Sequence, residues 1–250
     1  MKQSLGEMPM KMYDIHMHII PGVDDGSWDM DMSKTLLYMS YEQGIRKIIA
    51  TPHSSAFVEC GNQEVETLFL QLKEMAVNYL PDLEIYFGCE IRCGNQVIDE
   101  ILTSLKEHRI PALNNTRYVL AEFSTSVESE EVIKCTERLS EEGWVPVLAH
   151  VERYGELFRN DSCIEELQRN GCMFQINTYS VFDEENENIK ANAIQLVKEK
   201  RVTFLGSDAH RTIFRPPSVK YGLQYLYEHF EKEYIDQIAF GNAATLLGMV

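Results

Sequence analysis

The sequence predicts an α/β fold in which one domain is built from repeated βα units. Short apolar runs alternate along the chain with longer amphipathic stretches, a pattern typical of parallel strands joined by helices. The chain has 250 residues, 44% of them hydrophobic, which is enough to bury a large core, and α/β barrels of this length commonly form one domain. We therefore expect one domain over residues 12–250, preceded by a flexible extension at residues 1–11.

The strands and helices follow from the periodicity of the apolar residues. Seven segments are predicted to be strands: Met12–Ile20, Arg46–Thr51, Glu84–Gly88, Tyr118–Phe123, Val145–Ala149, Met173–Asn177 and Val202–Gly206. Six segments are predicted to be helices: Met32–Gln43, Gln63–Tyr79, Glu130–Glu142, Ser162–Asn170, Asn188–Lys200 and Val219–Glu231. Gly44, Gly143 and Gly171 stand where helices end, as expected of C-cap residues.

Composition excludes several classes of function. The chain has 23 basic and 39 acidic residues and a net charge of −16, which argues against a nucleic-acid-binding or anionic-membrane surface. Its six cysteines form no CxxC pair, and Met1–Lys11 lacks the apolar core of a signal peptide. No apolar run reaches the roughly 18 residues that a membrane span needs. We expect a cytoplasmic protein that does not insert into a membrane.

The first predicted strand ends in a motif that favours metal binding. His16 and His18 are two residues apart, so on an extended strand their side chains point to the same side. Asp25 follows in the next turn. Two imidazoles directed at one point beside a carboxylate are typical of a divalent-metal site, although a strand ending in a polar turn is the simpler alternative.

Residues of the same kind stand at the ends of other predicted strands, which favours the metal interpretation. The candidate ligands are His16, His18, Asp25, His53, Glu90, Glu122, His150, Asp208 and His210. In a barrel of parallel strands these carboxyl ends converge on the face that carries active sites. His108 and His229 lie outside the pattern and are predicted to be surface residues.

The size of this set indicates more than one ion. Five imidazoles and four carboxylates exceed the needs of one tetrahedral or octahedral ion, so two or three ions sharing carboxylates are expected. No cysteine stands at a ligand position, and mixed nitrogen and oxygen ligands suit Mn, Fe or Zn. The residues alone do not choose among these metals.

Two arginines are placed to bind phosphate. Arg153 comes three residues after His150, and Arg215 comes five residues after His210, both on predicted loops at the same face. A guanidinium there can hold phosphate oxygens in a bidentate manner. The alternative for each is an ordinary surface arginine.

The chain also contains a match to the motif of cysteine-based phosphatases, which we reject. Cys163 and Arg169 have the C-x5-R spacing of cysteine-based phosphatases, but that chemistry needs backbone N–H groups around the phosphate and a thiol of lowered pKa. Here Glu165 and Glu166 intervene in a helical pattern, and their charges would repel phosphate.

An ordered set of motifs resembles one known family. The segments DIHMHIIPGVDDGS, IIATPH, FGCEI, LNNTRYVLAEFS, VLAHVERY and GSDAH with RPP are similar to those of the bacterial PHP-type protein tyrosine phosphatases, manganese-dependent enzymes of the polymerase and histidinol phosphatase superfamily that accompany capsule and exopolysaccharide genes. The resemblance implies a distorted (β/α)7 TIM-like barrel (the PHP fold) with three divalent ions, most simply Mn²⁺, with Fe and Zn as alternatives.

The resemblance also implies an allocation of ligands. It assigns His16, His18, Glu90 and Asp208 to one ion and Glu90, Glu122 and His150 to a second. Asp25, His53 and His210 would hold the third, and Arg153 and Arg215 would bind phosphate. The known substrates of the family are phosphotyrosines, notably on the C-terminal tail of the tyrosine autokinase that controls polysaccharide export.

These residues lead to a hypothesis of phosphomonoester hydrolysis. A metal-bridging hydroxide would attack phosphorus in line with the leaving oxygen, and Asp208 or a metal-bound water would supply the proton. One alternative is a small-molecule phosphatase of the same superfamily, such as a histidinol phosphatase. Another is a non-catalytic regulator that binds phosphotyrosine. The acidic surface gives no clear oligomer interface.

Overall fold

The computed structural model describes residues 11–249. Within this range there are eight strands, β1 to β8 in chain order: Met12–Met17, Ile45–Ala50, Glu84–Phe87, Glu90–Arg92, Tyr118–Glu122, Val145–Leu148, Met173–Asn177 and Phe204–Gly206. All seven predicted strands are present, and β4 is an additional one. The predicted flexible extension lies outside the described residues except for Lys11, whose ammonium is 4.7 Å from the centre of the Tyr13 ring.

The helices follow the predicted order. The described chain contains nine, α1 to α9: Met30–Glu42, Asn62–Tyr79, Ile98–Lys106, Ser129–Glu141, Asp161–Arg169, Glu187–Lys198, Lys220–His229, Lys232–Asp236 and Asn242–Leu246. The six predicted helices are confirmed; α3, α8 and α9 are additional. Asp29 caps α1 by accepting a hydrogen bond from the backbone N–H of Met32. Gly44, Gly143 and Gly171 have φ of 96°, 79° and 84°, the left-handed conformation that favours glycine after a helix.

The strands form two parallel sheets. One has the order β1-β2-β3 and the other β4-β5-β6-β7-β8, and every paired strand is parallel to its neighbour. The predicted α/β fold with parallel strands is therefore confirmed. The hydrogen-bonded strands form two sheets, so they do not by themselves close the predicted barrel. Two isolated parallel bridges connect the sheets, one from Met17 to Ala209 and one from His53 to Glu90. The bridged residues end or follow β1, β2, β3 and β8, where the candidate ligands were predicted.

The division between the sheets falls at Gly88. The predicted third strand pairs with β2 as far as Phe87, and after Gly88 and Cys89 the chain pairs with β5 instead. A Cβ atom on Gly88 would lie 2.9 Å from Cγ2 of Ile49 and 3.0 Å from Cδ2 of Leu113, so only glycine fits without displacing a neighbour. This break directs Glu90 towards the ends of the other strands.

Two apolar clusters form the core. The larger contains most of the buried apolar helix residues, with partners on the strands. The smaller joins alternate strand residues such as Tyr13, Ile15, Leu120 and Phe204 to α9, which contributes Leu246. Along residues 11–249, no helix has the length and apolar character needed to cross a membrane.

Candidate metal centre

All nine predicted ligands lie together at the carboxyl ends of the strands. Each has a side-chain nitrogen or oxygen within 3.9 Å of one belonging to another of the nine. His16, His18, Glu90 and Asp208 form a buried floor, whereas the Asp25 side chain is 54% exposed. His108 and His229 are exposed and lie outside the cluster, as predicted. The centre is therefore buried on one side and open on the other.

Glu90 lies at the middle of the cluster. Its Oε1 atom is 3.2 Å from His16 Nε2 and 3.1 Å from His150 Nε2. Its Oε2 atom is 3.2 Å from His18 Nε2 and 3.0 Å from His53 Nδ1. Burial opposes ionisation of Glu90, but His16 and His150 hold its pKa well below the usual range. An ionised carboxylate with both oxygens among imidazoles has the geometry of a bridging ligand.

Potential ligand atoms form three overlapping groups. In each group one atom per residue lies within 4.8 Å of the others, and the groups are His18–Asp25–His53–His210, His16–His18–Glu90 and His53–Glu90–Glu122. They overlap with the three sets that the family resemblance implies. There are three differences. Asp208 is absent from its group, although it is 3.5 Å from His16. His150, which is 3.9 Å from Glu122, is replaced in its group by His53, and His18 is added to the group of Asp25, His53 and His210.

The tautomers of the buried imidazoles suit a cation. The backbone N–H of His150 donates to Gln175 Oε1, which identifies that atom as oxygen, so the Nδ1 atom of His16, 3.0 Å from it, must carry hydrogen. His18 likewise directs Nδ1 at Asp24 Oδ2, 2.8 Å away. The two Nε2 lone pairs then face each other at 3.2 Å beside Glu90, an arrangement that only a shared proton or a metal cation stabilises.

His210 is prepared as a neutral ligand. Its Nδ1 donates to the carbonyl oxygen of Asp208 at 2.9 Å, which leaves Nε2 as the lone-pair atom. Burial lowers the pKa of His210 and the nearby His18 lowers it further. The Nε2 atom is buried without a hydrogen-bond partner and lies 3.3 Å from Asp25 Oδ1. A buried nitrogen beside a carboxylate oxygen fits metal ligation.

Three residues that position the ligands were missed in the sequence. Asp24 orients His18 and also accepts a hydrogen bond from the backbone N–H of His53. Gln175 orients His16 and donates to Asn177, which donates to Asp208. A signal for the last two was present, because Gln175 and Asn177 alternate at the end of β7, the one predicted strand to which no ligand was assigned.

Three residues of the centre have a strained backbone. His150, Asp208 and Arg215 have φ of 35°, 52° and 55°, values that residues other than glycine rarely adopt. Such conformations cost on the order of 1–3 kcal/mol each and persist where surrounding contacts hold them. Two of these residues are candidate ligands and the third is a candidate phosphate-binding arginine.

Both predicted phosphate-binding arginines face the cluster. Arg153 Nη2 is 2.8 Å from Asp208 Oδ2 and donates to the Tyr179 hydroxyl at 2.6 Å. Arg215 Nη2 donates to Asp25 Oδ2 at 3.0 Å, and its Nη1 is 3.7 Å from Asp208 Oδ2. The two guanidiniums therefore approach the same carboxylate oxygen. Arg215 Nε is buried with no hydrogen-bond partner among the described residues, so a donor remains for an anion.

The rejected cysteine motif is confirmed to be helical. Cys163 and Arg169 both belong to α5, and Cys163 is buried. A helical turn does not direct its backbone N–H groups around a bound phosphate at this position, because they are used within the helix.

Parallel α/β architecture with a cluster of His and carboxylate side chains at the strand ends is the fold class that this chain shares with more distant proteins of known structure. An adenine deaminase structure from Arthrobacter aurescens matches 95% of this chain and 97% of its own with a TM-score of 0.58, and at 10% identity it shows similarity of fold alone.

Within that class the chain belongs to the capsular polysaccharide synthesis family CpsB/CapC, whose model matches residues 12–248. The tyrosine-protein phosphatase CpsB of Streptococcus pneumoniae is 35% identical over 89% of this chain and 91% of its own. A solved structure from work on YwqE of Bacillus subtilis and CpsB of Streptococcus pneumoniae, described as unique metal-dependent tyrosine phosphatases, matches at 30% identity and TM-score 0.83 over 95% of each chain. The family predicted from the motifs is confirmed.

Proposed function

We propose that the chain is a protein-tyrosine phosphatase that uses three divalent ions, most simply Mn²⁺, bound by the nine clustered residues. Its substrate would be the phosphorylated tyrosine-rich tail of a bacterial tyrosine kinase that regulates capsule or exopolysaccharide synthesis. The family membership and the relatives described as tyrosine phosphatases support this reaction. The strand order supports one distorted (β/α)7 barrel over residues 12–250, with β3 and β4 acting as one interrupted strand.

The observation that carries the proposal is the meeting of two guanidiniums beside the ligand cluster. Arg153 and Arg215 reach the same oxygen of Asp208, at 2.8 and 3.7 Å. Two fixed guanidiniums provide several N–H donors for the oxygens of one phosphoryl group. An anion bound there would have phosphorus next to the imidazoles and carboxylates of the centre.

The residues of the chain then have distinct tasks. Bound divalent ions would supply a water of lowered pKa and neutralise charge on the phosphoryl oxygens. Arg153 and Arg215 orient the phosphate, and Tyr179 helps to hold Arg153. Burial opposes ionisation of Asp208, but His16 and Arg153 keep its pKa far below the usual value, so it must gain a proton before it can donate one. A tyrosine leaving group, with a pKa of about 10, needs little such help.

The cytoplasm remains the proposed location. All six cysteines are unpaired, and five of them are buried. Proteins of oxidising compartments commonly form disulfides, so free thiols are typical of a reducing one.

Turnover of a phosphotyrosyl peptide tests the proposal. Protein loaded with Mn²⁺ should release phosphate from the peptide and lose this activity in EDTA. Histidinol phosphate is the comparison substrate, and faster turnover of it would favour a small-molecule phosphatase. Binding of the peptide without turnover would instead indicate a regulator.

A further inference from the structure

Exposed apolar side chains lie on two loops that adjoin the candidate ligands. Ile213 is 93% exposed and Phe214 is 65% exposed in the loop after β8, and Trp28 is 62% exposed in the loop after β1. An isoleucine this exposed contributes almost nothing to the packing of the fold. Apolar side chains grouped beside a polar site are typical of a surface that binds another molecule.

The loop that carries Ile213 and Phe214, residues 211–214, is fixed at its base. The backbone N–H of His210 donates to the carbonyl oxygen of Arg215 at 2.9 Å, closing the loop between a candidate ligand and a candidate phosphate-binding arginine. The guanidinium of Arg215 lies 5.8 Å from the centre of the Phe214 ring. The ring is therefore held next to the position proposed for phosphate.

Arg211 connects this loop to the loop after β1. Its Nε atom donates to the carbonyl oxygen of Gly26 at 3.2 Å, and its guanidinium lies 4.5 Å from the centre of the Trp28 ring. This cation–π contact and the hydrogen bond to Gly26 together hold the guanidinium beside the Trp28 ring. Within residues 11–249, Arg211 has no carboxylate at ion-pairing distance, so its Nη atoms are available to an incoming acidic group.

We infer that the 211–214 loop and Trp28 form a subsite for the polypeptide around a phosphotyrosine. Phe214 contacts the phenyl ring that leaves the phosphate site, Ile213 contacts the neighbouring residues, and Arg211 binds an Asp or Glu side chain next to the phosphotyrosine. This subsite rests on the proposed phosphatase function and specifies its substrate class as acidic phosphotyrosyl peptides.

Local charge makes this choice of peptide physically reasonable. The chain carries −16, so an acidic peptide is repelled by most of the surface. Arg211 adds a third guanidinium to Arg153 and Arg215 at the mouth of the centre. Acidic residues near the phosphotyrosine would be attracted to Arg211, whose position beside Trp28 also favours one direction of peptide binding.

Kinetics with three substrates test the subsite. The substrates are an Asp- and Glu-flanked phosphotyrosyl peptide, the same peptide with Asn and Gln in place of the acids, and p-nitrophenyl phosphate. In the double variant Ile213→Ser with Phe214→Ser, we expect the ratio of kcat/KM for the acidic peptide to that for p-nitrophenyl phosphate to fall about tenfold. Arg211→Gln should remove the preference for the acidic over the neutral peptide.

Matched controls separate this effect from general surface changes. Leu70→Ser removes an apolar side chain that is 56% exposed on α2, and Arg138→Gln removes an arginine that is 44% exposed on α4. Both controls should leave all three kcat/KM values unchanged. If the loop and Arg211 variants behave like these controls while the wild-type protein hydrolyses the peptide, the subsite is wrong and the phosphatase proposal stands.

Binding decides the case in which no substrate is hydrolysed, a result that would contradict the proposed function itself. Calorimetry with the acidic peptide carrying a non-hydrolysable difluoromethylphosphonate in place of the phosphate then measures the subsite directly. Weaker binding by the loop and Arg211 variants than by Leu70→Ser and Arg138→Gln would support the subsite. Equal binding by all the variants would overturn it.

Discussion

At the scale of single residues, His53 contacts two candidate ligands of the centre, one through each of its ring nitrogens. Its Nε2 atom is 3.3 Å from Asp25 and its Nδ1 atom is 3.0 Å from Glu90, so it belongs to two of the three ligand groups. We expect His53→Ala to lower kcat/KM on a phosphotyrosyl peptide by more than about 100-fold, because even removing a partner of a ligand costs roughly 10–100-fold. Phosphate release and metal content measured on the same sample provide the check.

His108→Ala is the matched control for that substitution. His108 is exposed in the turn after α3 and takes no part in the cluster, so its removal should change neither metal content nor activity. Full activity in the His53 variant would exclude that residue from the centre. Circular dichroism should show both variants folded.

Gln175 tests whether positioning residues matter to the metal. It accepts hydrogen bonds from His16 Nδ1 and from the backbone N–H of His150. Gln175→Ala leaves both without an acceptor, so we expect the affinity for Mn²⁺ to fall about 10–100-fold. A calorimetric Mn²⁺ titration measures this, with Gln195→Ala as the control, because Gln195 is half-buried on α6 and donates to Glu199, outside the cluster. Equal affinities in the two variants would contradict the orienting role.

Protons and metal ions should compete for the imidazoles. Burial lowers the pKa of His18, but the charge of Asp24 and the hydrogen bonds to Asp24 and Glu90 raise it to about 9. Burial likewise lowers the pKa of His53, and hydrogen bonds to Asp25 and Glu90 raise it to about 11. Both imidazoles are therefore protonated at pH 7.5 in the metal-free protein and must lose protons to bind a cation.

The expected result is proton release on Mn²⁺ binding and an apparent affinity that increases with pH between 6 and 9. Titrations at pH 7.5 in buffers of different ionisation enthalpy measure the number of protons released. A heat of binding that is the same in all buffers would show that no proton leaves, and would contradict ligation by His18 and His53.

The nine candidate ligands could be found in the sequence because each depends on a local rule. Histidines and carboxylates at the ends of parallel strands must share one face, whatever the details of packing. The tautomer of His16 could not be found in this way, because it depends on Gln175, 159 residues away. Asp24 was missed because Asp24 and Asp25 are adjacent aspartates in one turn, and the sequence does not show which of them is a candidate ligand and which orients His18.

At the scale of elements, Gly88 determines where the third predicted strand changes partner. We expect Gly88→Ala to lower the free energy of unfolding by about 1–3 kcal/mol, because its Cβ would overlap Ile49 and Leu113 in a packed region. It should also weaken Mn²⁺ binding, since Glu90 lies two residues further on. Urea denaturation and a metal titration are the measurements.

Gly155→Ala is the control for the Gly88 variant. A Cβ at Gly155 would meet no atom within 4 Å, and the residue has no positive φ, so this change should leave stability almost unchanged. Equal stability of the two variants would show that the neighbours of Gly88 can move without cost.

Most elements were predictable because their apolar periodicity is strong. The α3 helix was missed even though Ile98, Ile101, Leu102 and Leu105 follow helical spacing and are all buried. In contrast, β4 has three residues, too few for any periodicity, and its pairing with β5 depends on the close packing at Gly88. Short elements set by tertiary contacts are the part that local sequence does not specify.

At the scale of the whole molecule, the candidate centre lies where the two sheets meet. The sheets are connected by single bridges at Met17–Ala209 and His53–Glu90, and the ligands come from both sides of these junctions. Because Glu90 contacts imidazoles from β1, from the loop after β2 and from the loop after β6, ions bound around it would link distant parts of the chain. Metal binding should therefore stabilise the fold as a whole.

Thermal unfolding measures this link between the sheets. A ligand present at 100 times its Kd stabilises a folded protein by about 2.7 kcal/mol, which for a domain of this size raises Tm by roughly 5–10 °C. We expect a rise of this order in Mn²⁺ relative to EDTA for the wild-type protein and for His108→Ala. The rise should be smaller in His53→Ala, because one imidazole of two ligand groups is missing. An identical Tm in Mn²⁺ and EDTA would mean that the cluster does not hold ions across the junction, since ions bound only to the folded state must raise Tm.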